Sequence, residues 1–328
     1  MKLSQSLKAP VLQVALALGA VYVLWGSTYL AMAIAIETIP PLLMAGVRYL
    51  IAGSLLYGWT RARGAARPTA VHWRSALLIG GFLLLGGNGG VVWSEQRVDS
   101  GVAALLVSTM PLWMVVLEWL RTRTRPSGQV LAGVGLGFAG LVLLVRPGAG
   151  KAIDPVGVGV LLLATLSWAW GSLRSRRVAL PDSPFLATAM EMLGGGALLL
   201  LAGLATGETA GFHPAAVTLR STLALGYLIT FGALVGFTAY VWLLRVAPPV
   251  LVSTYAYVNP IVAVFLGWLV LSEPLTGRTL LAAGVILTGV VLITLARRPE
   301  ASPARLPTPE PVEPDADLEC APALREAS

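Results

Sequence analysis

The sequence predicts an all-α membrane protein in which ten transmembrane helices form two inverted five-helix repeats. Three observations lead there: a composition too apolar for a soluble globule, ten apolar runs of spanning length, and a self-match between the two halves. Of 328 residues, 56% are hydrophobic and 12% charged, against about 25% charged in soluble domains. So little charge cannot coat a water-exposed surface.

About 20 apolar residues cross the hydrocarbon core as a helix. A cytoplasmic N-terminus, 1–11, holds Lys2 and Lys8. The first span, 12–36, is too long for the core of a signal peptide and reads as retained. The second, 41–60, carries Arg48. The third, 75–93, is interrupted by Gly86-Gly87-Asn88-Gly89-Gly90. The fourth, 100–120, contains Pro111. The fifth, 128–145, includes GLGFAG, a dinucleotide fingerprint without its strand, so close helix packing explains it. An external linker, 146–155, leads to the sixth span, 156–174, and the seventh, 184–206, carries Glu191. The eighth, ninth and tenth are 221–244, 249–271 with Pro260, and 275–296. The tail, 297–328, holds seven of the 22 prolines and seven of the 16 acidic residues; it is expected to be disordered.

Ten helices leave both termini on one side. With the termini cytoplasmic, 17 basic residues fall inside and five outside (Arg97, Arg146, Lys151, Arg220 and Arg278), while Arg48 lies within a span. That bias sets the orientation, termini in, in the inner or plasma membrane. The net charge of +7 therefore reports topology: no basic face with interleaved aromatics remains to bind nucleic acid.

The halves match collinearly. Val92-Trp93, Pro111, Trp119-Leu120, Gly135 and Gly140 recur 149 positions later as Val241-Trp242, Pro260, Trp268-Leu269, Gly284 and Gly289. Upstream the offset shortens: Trp25-Gly26-Ser27 meets Trp170-Gly171-Ser172, and Leu50 and Gly53 meet Leu193 and Gly196. The repeats are 12–145 and 156–296. Five helices each invert the second copy, an architecture in which substrate binds near the midplane between the halves.

With Trp-Gly-Ser in the first span of each half, PLLMAGVRYLIAGSLL in the second span and NPIVAVFLGWLVLSEPLT in the ninth, the chain resembles the EamA-type family of the drug/metabolite transporter superfamily. The resemblance implies a ten-helix carrier moving small metabolites, often outward, through a central cavity. One departure is visible. Ser272-Glu273-Pro274 closes the ninth span, whereas the aligned first-half positions are Arg123, Thr124 and Arg125.

Candidate cavity residues follow from where polar and aromatic groups sit inside spans. A proline leaves the carbonyl four residues earlier unpaired, so Pro111 and Pro260 mark kinks that free Val107 and Ala256. Beside them stand Ser108, Thr109 and Trp113, and Ser253, Thr254, Tyr255, Tyr257 and Asn259. Trp25 with Ser27 and Thr28, Trp93, Trp170 and Tyr240 supply amphipathic walls. Asn88 needs a partner, either a neighbouring helix or substrate. Intramembrane charges are functional candidates: Glu191 for proton coupling, and Arg48, expected to reach Glu95 or Asp99 and not to pair with Glu191. Glu118 is expected to pair locally with Arg121.

Cys320 is the only cysteine, and His72 and His213 are the only histidines, both in loops. No metal site or cofactor is expected, and no P-loop offers direct ATP drive. The expected partners are a small-molecule substrate, the bilayer and, as a coupling ion, protons; the sequence assigns no oligomeric state. A secondary transporter is favoured. A lipid-modifying membrane enzyme would need paired carboxylates or an activated nucleophile, and a channel-like bundle has no use for two exchangeable halves.

Overall fold

The computed structural model describes residues 11–145, 153–247, 249–252 and 254–296. The expected N-terminal segment before Val11, most of the linker (146–152) and the tail, 297–328, lie outside the described residues. Among the described residues there is no strand. Nine helices among the described residues are long and apolar enough to cross a membrane: α1 (Val11–Ala35), α2 (Pro41–Ala62), α3 (Ala70–Ser94), α4 (Ser100–Thr122), α5 (Gly128–Val145), α6 (Pro155–Ser175), α7 (Pro184–Ala205), α8 (Leu219–Leu243) and α10 (Gly277–Ala296). Between the last two lies a shorter apolar helix, α9 (Tyr255–Leu271).

Several starts carry their own signals. Prolines at the first turn open α2, α6 and α7, where the missing amide costs nothing. Thr69, Asp154, Ser183 and Thr218 cap α3, α6, α7 and α8 through their side chains. The ends of α4 and α9 are alike: Arg123 and Ser272 both turn left-handed, at φ 58° and 55°. Non-glycine residues seldom adopt that conformation.

Three spans are irregular where polar chemistry gathers. In α3 the stretch Gly81–Gly89 is π-helical, and in α8 so is Leu228–Val235. Wider winding leaves carbonyls short of partners, and a helix from the other half supplies one to each. Ser167 Oγ of α6 donates to the Phe82 carbonyl at 2.8 Å, and Trp25 Nε1 of α1 donates to the Gly232 carbonyl at 3.1 Å. The third irregularity is in α4, which breaks after Val107 and restarts at Met110. Ser108 and Thr109 span the break, their hydroxyls donating to the carbonyls of Leu105 and Leu106. Pro111 thus opens a new segment instead of bending a continuous one, while Pro260 sits inside an unbroken α9.

The core is built from paired helices, α2 on α7 and α5 on α10, with α1 against α8 and α9, and α6 against α3 and α4. Glycines make the close crossings. A Cβ on Gly133 would lie 2.7 Å from the Gly289 carbonyl, and one on Gly289 would lie 2.6 Å from that of Gly133. Large apolar side chains such as Leu163 and Val142 face outward, two-thirds exposed, as lipid-facing residues do.

Candidate functional site

A cavity of about 560 Å³ lies between the helices, a size suited to a small organic molecule. Its walls come from both halves of the chain. Of the residues expected there, Trp25, Thr28, Asn88, Ser108, Tyr240, Tyr255 and Asn259 line it, as do Pro111, Pro260, Arg48 and Glu191. Val107 and Ala256, the residues whose carbonyls the prolines release, line it too.

The aromatic wall is a cluster. The Trp25 ring centroid is 5.1 Å from that of Tyr240 and 5.2 Å from that of Tyr255, the latter edge to face. Tyr240 and Tyr255 meet edge to face at 5.7 Å. The Asn259 amide, with its nitrogen toward two carbonyls, donates to Tyr255 at 3.2 Å and Tyr22 at 3.3 Å, stitching α9 to α1.

Other expected residues sit elsewhere. Ser27 bonds to the Tyr227 hydroxyl at 2.6 Å and to the Leu24 carbonyl, knitting α1 to α8 away from the cavity. Thr109 is buried in the α4 break. Trp113 stacks edge to face on Phe138, and Trp93 lies under the Arg97 guanidinium at 5.0 Å. Tyr257 is not among the lining residues. Trp170 is half exposed on the outer surface, and Trp168 faces the cavity in its place. Two positions along a helix turn about 200°, so the tryptophan carried by the repeated tripeptide points away from the interior. Glu118 does pair with Arg121 on the surface.

Sequence reasoning missed Tyr29, Tyr49, Thr165 and Arg176 in the walls. All are polar or aromatic residues within or at the edge of spans, and only the helical phase distinguishes them from lipid-facing neighbours.

The two ends of the molecule differ. At one face, two carboxylates from the second half cap helices of the first. Glu273 accepts from the Ser100 amide and hydroxyl, both at 2.7 Å, and from the Gly101 amide at 3.0 Å, at the start of α4. Glu208 accepts from the amides of Leu42 and Leu43, at 3.1 and 3.0 Å, at the start of α2. Helix N-termini favour such carboxylates through their free amides and dipole. Glycines make room: a Cβ on Gly267 would lie 2.3 Å from Glu273, and one on Gly203 would lie 3.2 Å from Glu208. Ion pairs Arg97–Asp154 (3.3 Å) and Arg220–Glu37 (3.4 Å) and the Ser221 bond to the Ile34 carbonyl tie the same face. Asp154, held by the Gly157 amide, by Arg97 and by the Val156 amide, has its carboxyl below the ordinary range. At the opposite face, α3 and α7 begin on local caps, Thr69 and Ser183. There the cavity reaches exposed Arg176. The site is closed at the Glu273 face and accessible from the Arg176 face.

Arg48 lies at the closed end, 4% exposed, with Nε and Nη1 lacking hydrogen-bond partners. Its guanidinium stands 4.8 Å from the centroid of the Tyr49 ring. Glu95, in the turn after α3, is partly buried, and both of its oxygens are enclosed without a hydrogen bond. Arg48 therefore does not hydrogen-bond to Glu95 as expected, although the two feel each other electrostatically. Burial, then Glu273, push the Glu95 carboxyl well above the ordinary carboxylate range against the pull of Arg48. No ion pair joins Arg48 to Glu191 among the described residues. Asn88 Oδ1 is also buried without a partner.

The family model of the EamA-like transporter family matches this chain twice, over residues 12–146 and 155–295. The inner membrane transporter YedA of Escherichia coli (strain K12) is 41% identical over 283 residues, covering 86% of this chain and 90% of that protein. PecM of Dickeya dadantii is 28% identical, over 82% of this chain and 88% of its own. The transporter YvbV of Bacillus subtilis is 26% identical, over 87% and 92%. A solved crystal structure, 21% identical, shares the fold with a TM-score of 0.59, covering 86% of this chain and 96% of that one. Matched along both halves and lined for a small solute, the chain belongs to the EamA-like transporter family and is a membrane transporter.

Proposed function

We propose that the chain is a secondary carrier that exports small amphipathic or zwitterionic metabolites, amino acids first among them, by alternating access. The observation that carries this reading is the one-sided cavity, walled by both halves, tied shut at one face and reaching the other. Two inverted five-helix repeats, 12–145 and 156–296, would let the halves exchange those roles. Three correspondences support that duplication: the paired π-helical stretches in α3 and α8, the left-handed ends at Arg123 and Ser272, and the matching contacts of α1 and α6. With the termini cytoplasmic, the Arg176 face is cytoplasmic and the Glu273 face external. The cavity residues named above would bind the substrate, and Glu191 would carry coupled protons.

Counterflow in proteoliposomes across a panel of amino acids and amphipathic metabolites tests the carrier. Exchange of at least one solute is expected, and an imposed pH gradient should change its rate. No exchange of any solute, together with turnover of a lipid, would replace the carrier with an enzyme.

A further inference from the structure

Three charged groups line the cavity: Arg48, Arg176 and Glu191. Arg176 sits at the exposed mouth, where water screens it. Glu191 is only partly buried where it lines the cavity. Arg48 has neither relief. It is buried at the closed end, two of its nitrogens have no acceptor, and a guanidinium cannot shed its charge. Isolated charges are costly to bury, which is why they are nearly always paired. The carboxylate that feels its charge, Glu95, does not fill that role, since no hydrogen bond joins the two and burial favours its neutral form. The same cavity is lined by the Trp25–Tyr240–Tyr255 cluster and by Asn88, whose amide oxygen is also unsatisfied.

From the unpaired buried guanidinium at the blind end of an aromatic cavity, we propose that Arg48 is the anchor for a substrate carboxylate. The site selects small solutes with a carboxylate on an apolar or aromatic body and rejects cations of the same shape. This rests on the carrier reading only for what happens after binding. The carboxylate supplies a pair of acceptors for the guanidinium fork, while the body lies along the aromatic wall. An ammonium placed there would meet like charge.

The test is a charge series on one body: 3-phenylpropionate, phenylalanine and phenethylamine, titrated calorimetrically into purified full-length protein in detergent. Both carboxylates are expected to bind, and phenethylamine at least about tenfold more weakly. Arg48→Gln should weaken both carboxylates about tenfold or more, the loss of a charged hydrogen-bonding partner. It should not lower the melting temperature of the ligand-free protein, because it removes an unpaired charge. Arg48→Lys keeps the charge but loses the fork, and should fall between. If the glutamine variant does not fold, the wild-type series and the lysine variant still decide. The proposal is overturned if phenethylamine binds as tightly as 3-phenylpropionate, if neither carboxylate binds up to about 10 mM, or if Arg48→Gln keeps wild-type affinity. Carboxylate binding without any counterflow would instead refute the carrier reading and leave the site standing.

Discussion

Trp25 does two jobs with one side chain: its ring forms the cavity wall, and its Nε1 satisfies the Gly232 carbonyl of the π-helical stretch. Trp25→Phe keeps most of the ring and strands that carbonyl, so it should destabilise the protein by about 1 kcal/mol in thermal or denaturant unfolding. Gly236→Ala should mimic it, since a Cβ there would lie 2.6 Å from Trp25 Nε1. Asp154 gives a pH-dependent counterpart outside the membrane. Its carboxyl is depressed first by the Gly157 amide, so its capping contribution is complete above the ordinary value of 3.8 and is lost as pH falls through its lower folded value. Hydrogen exchange at Gly157, corrected for intrinsic rate, should lose protection over that window, and Asp154→Asn should flatten the dependence. Trp25 was legible because a mid-span tryptophan beside Ser27 and Thr28 has no interfacial role to play. Which of Trp168 and Trp170 faces the cavity was not legible, because no composition rule distinguishes two tryptophans on opposite sides of one helix.

At the scale of elements, run lengths and matched prolines placed the spans, but not how each is wound. Gly86–Gly90 signalled an interruption in α3, yet its partner stretch in α8, LITFGALV, has an ordinary apolar sequence. Its winding becomes apparent only from Trp25 donating to it across the bundle. The prolines likewise do different work: Pro111 follows a break sealed by two hydroxyls, while Pro260 is absorbed in α9. Glu273 was visible as a departure from the repeat, and its task at the start of α4 required the tertiary contact. Glu273→Ala strips acceptors from two amides and a hydroxyl, and should cost about 1–3 kcal/mol in unfolding, with Glu273→Gln intermediate. A loss under about 0.5 kcal/mol for alanine would mean that water replaces the carboxylate.

For the whole molecule, the decisive asymmetry is that both carboxylate caps, Glu208 and Glu273, run from the second half of the chain to the first at the same face. If that face must open for transport, the caps bias the molecule against opening, and removing them should shift the population toward the opposite state. Each tenfold shift corresponds to about 1.4 kcal/mol, within reach of two lost charged caps. The native cysteine, Cys320, lies in the tail, so Cys320→Ser gives a clean background. A cysteine in place of Met32, which lines the cavity and is 2% exposed, then reports access to its closed end. In oriented vesicles, Glu208→Ala with Glu273→Ala should raise labelling by an impermeant maleimide about tenfold or more from the Glu273 side. Labelling of a Ser175→Cys probe from the Arg176 side should fall in step, because the two openings exclude one another in an alternating carrier. Equal labelling of both probes in the variant would describe a channel instead, and an unchanged Met32→Cys rate would reduce the caps to helix starts with no part in gating.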